Sequence, residues 1–253
     1  GQDWPQSELD LLSRVRPSGG IVVADGINQL VRQLEPANWA RTVGSSEIYR
    51  LEMERCLRMK TNLATFASTV AGQLNVNLGW NTTNVLPGGQ VIVIDGSYLE
   101  NSELHGSLVE RTKEDGQQPI DMLFCVPPSL VKRTPQQQPI GSVAAERFAE
   151  WGYETWDGVA TEIRGEYPTK FGQLRTVQYD SCRGLEGWVS VNLGIDDFHR
   201  YKIDEYLNRH NDSNAPGNLQ DATTDEQQER ANNFAARWLV IALTRAIDTL
   251  VIE

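Results

Sequence analysis

The stretch Trp238-Leu239-Val240-Ile241-Ala242-Leu243 sets six apolar residues in succession within a segment of helical composition. A helix carrying such a run has no solvent face, so it must be covered on both sides. A second apolar run, Leu250-Val251-Ile252, follows within a few residues and is short enough to be a buried strand. A sandwiched helix feeding a buried strand is what a layered α/β domain provides.

The rest of the chain repeats this alternation. Helices are predicted over residues 5–15, 28–34, 61–74, 103–113, 142–151 and 226–246, with Thr61 as an N-cap and Pro36 as a stop. Strands are predicted over residues 20–24, 48–51, 91–94, Met122–Val126, 174–179, 188–193 and 249–253. Residues 36–46 read as a linker, 127–139 as a Pro- and Gln-rich loop, and 211–225 as a polar, mobile connection. The expected fold is α/β, a mostly parallel sheet with helices on both faces.

Charge narrows the function classes. The formal net charge is −11, which argues against coating nucleic acid through bulk electrostatics, since counterion release needs clustered cations. No apolar run reaches the roughly 18 residues of a membrane span. The basic residues are 18 Arg and 5 Lys, a bias that suits bidentate grip on phosphate and that a GC-rich genome would also produce. Cys56, Cys125 and Cys182 are odd in number with no Cys-x-x-Cys pair, which points to reduced thiols and a cytoplasmic setting. His105, His199 and His210 are scattered, and no metal site is assigned.

Two segments carry candidate chemistry. At the end of the apolar helix stands Arg245, which on the residues alone either complements the last carbonyls or projects into a cleft. In Gln178-Tyr179-Asp180-Ser181-Cys182-Arg183-Gly184-Leu185-Glu186-Gly187, a strand runs into a turn with two Gly. That reading puts Arg183 and Glu186 at the C-terminal edge of the sheet, where α/β folds bind ligands.

Ala242-Leu243-Thr244-Arg245-Ala246 resembles motif VI of the UvrD/Rep-like superfamily 1 helicases, and Arg183-Gly184-Leu185-Glu186 resembles their motif V. Arg58-Met59-Lys60-Thr61-Asn62-Leu63 is similar to motif IV. Val22-Val23-Ala24-Asp25-Gly26-Ile27-Asn28-Gln29 looks like motif III, and Gly1-Gln2-Asp3 like the tail of motif II. The five pieces stand in family order.

The resemblance implies a RecA-like P-loop NTPase fold. Residues 1–36 would be the end of a first RecA-like domain and 37–253 a second one, within a longer chain in which most of the first domain precedes Gly1. It implies ATP and Mg²⁺ as cofactors, with the metal ligands mostly outside this sequence. Arg245 would be the arginine finger, Arg58 a second γ-phosphate contact and Gln29 its sensor. Glu186 would contact the nucleotide sugar, with Gly184 and Gln2 beside the nucleotide. Arg183, Gln178 and Arg32 would touch single-stranded nucleic acid, DNA rather than RNA. No Gly-Lys dipeptide occurs, so a Walker A loop is missing and this stretch by itself is expected not to hydrolyse ATP.

Four departures mark a second reading. Asp25-Gly26 inverts the family's Gly-Asp, Asp180 replaces a His, Gln178 replaces a Thr, and Arg32 replaces a base-stacking aromatic. They fit a degenerate RecA-like module that acts as an ATP-gated switch or protein-interaction domain without unwinding. Lys132, Arg133, Trp151 and Trp188 are softer nucleic-acid candidates, read first as solvated loop and core residues.

Overall fold

The computed structural model describes residues 6–15, 58–80, 86–211 and 223–253. The expected strands over 20–24 and 48–51, the helix over 28–34, the linker and the domain boundary at 36/37 lie outside the described residues. So do Gln2, Gln29 and Arg32, and most of the connection expected over 211–225.

Among the described residues the helices are α1 (Gln6–Val15), α2 (Thr61–Gln73), α3 (Ser102–Glu114), α4 (Val143–Glu150), α5 (Ile195–Asn211) and α6 (Thr224–Leu243). The strands are β1 (Gln90–Val93), β2 (Met122–Val126), β3 (Val131–Arg133), β4 (Pro139–Ser142), β5 (Thr155–Asp157), β6 (Leu174–Gln178), β7 (Gly187–Asn192) and β8 (Ala246–Ile252). Six strands form one sheet in the order β1-β8-β7-β2-β6-β5, and every pairing within it is parallel. The fold is therefore α/β, as the alternation implied, and is consistent with a RecA-like domain.

The central strand explains the layering. All five residues of β2 are buried, which a parallel strand covered on both faces requires. Met122, Phe124 and Val126 join one core with Leu108 and Val109 of α3 and Phe148 of α4. Leu123 and Cys125 point the other way, into a core with Phe198 of α5 and Trp238 of α6. A third cluster joins Leu63 and Ala67 of α2 to Leu243 of α6 and Leu250 of β8. The apolar end of α6 thus meets core on two sides.

Several local expectations are corrected. The helix expected to reach Ala246 ends at Leu243, because Gly187 N–H donates to Arg245 O at 3.0 Å and Ala246 is already paired with Gly187 in the sheet. Its start is set by a capping box between Thr223 and Glu226. Thr61 is the first residue of α2 rather than its cap, and its hydroxyl donates to Leu86 O at 2.9 Å. The stretch 127–139 is not all loop: β3 and β4 form a small antiparallel hairpin in which Pro139 opens β4. Helix α5 and strand β5 had no counterpart in the sequence reading. Among the described residues no helix is long and apolar enough to cross a membrane.

Candidate functional site

Arg58 lies just before α2, Glu186 just before β7 and Arg245 just before β8. All three therefore stand at the N-terminal edge of the parallel sheet, not at the C-terminal edge expected for Arg183 and Glu186. Strand direction is the reason. β6 and β7 run parallel with β2 between them, so residues 179–186 must pass back across the sheet to start β7. Gln178 stays behind, paired with Val126 at the last residue of β2. Glu186 adjoins the Gly187–Ala246 pair at the opening of β7 and β8. The structure thus brings Arg58, Glu186 and Arg245 together and leaves Gln178 at the opposite edge.

Arg245 is 6% exposed and turned back on its own domain. Its Nε donates to Ile241 O at 2.8 Å, Nη2 to Thr244 Oγ1 at 3.0 Å, and Nη1 to Leu185 O at 3.3 Å. Of the two roles left open for it, the described contacts include carbonyl bonding at the helix end. Burial, and then the neighbouring Arg58, push its pKa below the usual guanidinium range. Arg58 donates through Nη2 to Thr244 O, and its Nη1 lies 3.8 Å from Glu186 Oε2. With side chains 31% and 56% exposed, that ion pair stabilises the fold by about 1 kcal/mol at most. Arg58 Nε is buried and has no acceptor.

A third guanidinium reaches the same place from the second residue of β6. Arg175 Nη2 donates to Glu186 O at 2.6 Å, and its Nε is buried without an acceptor. Burial lowers its pKa, while Asp121 acts in the opposite direction. Sequence reasoning missed Arg175. The available signal was a lone Arg between Leu174 and the buried pair Thr176-Val177.

The crossover that presents these carbonyls is firmly held. Tyr179 stacks on Phe198 with centroids 4.2 Å apart, and its hydroxyl donates to Leu193 O at 2.9 Å. Asp180, where the helicase motif has His, receives Lys202 Nζ at 2.5 Å. Lys202 is 2% exposed, also meets Glu205 Oε2 at 2.7 Å, and places its ammonium 4.3 Å from the centre of the Trp238 ring. Leu185 N–H then closes a turn onto Cys182 O at 3.0 Å. Gly184 occupies that turn with φ +85°, a region that favours glycine, and the space where a Cβ would stand is open. Arg183, the residue before it, is half-buried in the turn.

On the other side Arg58 is placed by its near neighbour Lys60. Lys60 N–H donates to Ile247 O at 3.1 Å, and its ammonium pairs with the buried Asp248. Asp248 also takes Arg111 Nη2 at 3.8 Å. The Lys60 ammonium lies 4.7 Å from the centre of the Trp188 ring, whose Nε1–H donates to Asp115 Oδ2 at 2.9 Å. Trp188 is therefore a packing residue here, as is Trp151, which lies 5.1 Å from His105 in an aromatic core. Lys132 pairs with Glu146, and Arg133 caps its own hairpin at Gln137 O.

The fold and the site define an α/β domain with three convergent arginines at the N-terminal edge of its sheet. Neither a protein-family model nor a curated protein matches the chain.

Proposed function

We propose that this chain carries the ATP-coupling second motor domain of a superfamily 1 DNA or RNA helicase or translocase. The observation that supports it most is convergence. Arg58, Glu186 and Arg245 are far apart in sequence, belong to the segments that resemble motifs IV, V and VI, and meet at one edge of a parallel sheet. Two guanidiniums beside one carboxylate suit a triphosphate with its sugar, because phosphoryl transfer needs positive charge on the equatorial oxygens. ATP with Mg²⁺ would lie between this domain and a first RecA-like domain of the same protein, whose metal ligands and Walker A loop are outside this sequence. Gln2, Gln29 and Arg32 keep their proposed roles beside nucleotide and strand. Arg183 remains the strand contact favoured on the crossover, and single-stranded DNA is the preferred track. The thiols Cys125 and Cys182 are free and buried, which suits a reduced cytoplasmic setting.

The switch reading is favoured by a specific observation. The three guanidinium nitrogens of Arg245 bond within the domain itself, and Gln178 is at the opposite edge of the sheet from Glu186. Such a module would bind or hydrolyse ATP without displacing a strand. Nucleic-acid-stimulated ATPase activity of the full-length protein, measured beside strand displacement, separates the two. A motor shows both activities, a switch shows ATP turnover or binding alone, and neither reading survives if Arg58→Ala and Arg245→Ala leave ATP binding and turnover unchanged.

A further inference from the structure

We infer that Arg58, Arg175 and Arg245 together form an oligophosphate receptor on this domain alone, with Arg175 as its third anion contact. The anion's identity as a nucleotide's phosphate tail rests on the function proposed above; the binding itself does not.

Three observations carry it. The guanidiniums converge on two consecutive residues of the crossover: Arg245 on Leu185 O, Arg175 on Glu186 O, and Arg58 on the Glu186 carboxylate. The carboxylate at that convergence is Glu186, so the spot is locally cationic on a chain of net charge −11. Asp121, beside Arg175, offsets part of that charge. Two of the three cations hold a buried Nε–H without an acceptor, on Arg58 and Arg175. An unpaired buried donor costs about 1–3 kcal/mol, so a turn of either side chain that brings its Nε–H to an arriving oxyanion recovers that cost.

The donor set selects the ligand. Guanidinium forks bind planar or tetrahedral oxyanions in pairs, and three of them offer more donors than one carboxylate can accept. A chain of phosphates supplies enough oxygens, and the open space beyond Gly184 borders the same crossover. Arg175 is thus more than the tether of Glu186.

Inorganic tripolyphosphate is the probe, with ATP as the second arm, both by calorimetric titration of this 253-residue chain at low salt. Arg175→Gln is expected to weaken tripolyphosphate binding by about 10- to 100-fold, the range for losing a hydrogen bond to a charged partner. Arg175→Lys, which keeps the charge without the fork, is expected between the two and serves if the Gln variant does not fold. Arg209→Gln on the outer face of α5 is expected to bind as the parent does. Glu186→Gln, which removes the counter-charge, is expected to tighten tripolyphosphate binding, an effect a purely structural role of the cluster would not give. Absence of tripolyphosphate binding, or equal affinity in Arg175→Gln, or equal loss in Arg209→Gln, overturns the inference. The function proposed above fails separately. If Glu186→Gln tightens ATP as much as tripolyphosphate, Glu186 makes no sugar contact.

Discussion

At the scale of single residues, the chain shows how burial sets chemistry. His105 sits among Tyr98, Phe124, Phe148, Trp151 and Tyr153, with Nδ1 3.0 Å from the Tyr98 hydroxyl and Nε2 buried without a partner. Desolvation lowers its pKa from 6.5 to about 4. Because the folded value is depressed, the unfolded chain takes up the proton first as pH falls. Stability from this residue is whole above about pH 6.5 and is lost progressively towards pH 4, on the order of 3 kcal/mol in all. Urea unfolding at pH 7 and pH 5 should show this loss, and His105→Phe should flatten it although Tyr98 then lacks a partner. An unchanged pH slope in that variant would exclude His105 as the source. Of the residues that meet at the N-terminal edge of the sheet, Arg58, Glu186 and Arg245 could be singled out because each stands in a segment that resembles a short family motif. Arg175 could not, because its importance comes from reaching across β2 to Glu186 O, a relation between strands that local sequence does not carry.

At the scale of elements, the apolar strands could be read and the charged helix could not. β2 was read to the residue because an unbroken apolar run of five suits a strand buried on both faces. α5 was invisible because the buried stripe Phe198, Lys202, Tyr206 has a lysine at its centre, which breaks the apolar period. That lysine, with the Tyr179–Phe198 stack, fastens α5 to the crossover. Lys202→Met should destabilise the domain by about 2 kcal/mol, since it leaves Asp180 without its ammonium partner and Glu205, at low exposure, with only the exposed Arg209. Chemical denaturation is the measurement, and adding Asp180→Asn and Glu205→Gln to the Met variant should recover part of the loss. If the single variant is as stable as the parent, the clamp is not holding the crossover. The misplaced edge has a similar origin. Periodicity gives strands but not their relative direction, and because β6 and β7 run the same way the residues that lead into β7 emerge at the N-terminal edge.

At the scale of the whole molecule, an acidic body presents a compact cationic spot at one edge of a parallel sheet. This geometry suits recognition of one anionic ligand better than broad attraction to a polyanion, which weakens with salt and needs spread positive charge. Three of the 18 arginines meet at residues 185–186. If the domain is a motor half, phosphate contacts made from this edge would tie ATP turnover to the approach of a second domain. The most direct measurement is nucleic-acid-stimulated ATPase activity of the full-length protein with Arg245→Ala and Arg58→Ala, each checked for folding. The expected result is a fall of about 10³- to 10⁵-fold in turnover for Arg245→Ala, the range for loss of an arginine finger, with a smaller fall for Arg58→Ala. Turnover within about tenfold of the parent in both variants would contradict the central claim, because the barrier change would then be under about 1.4 kcal/mol.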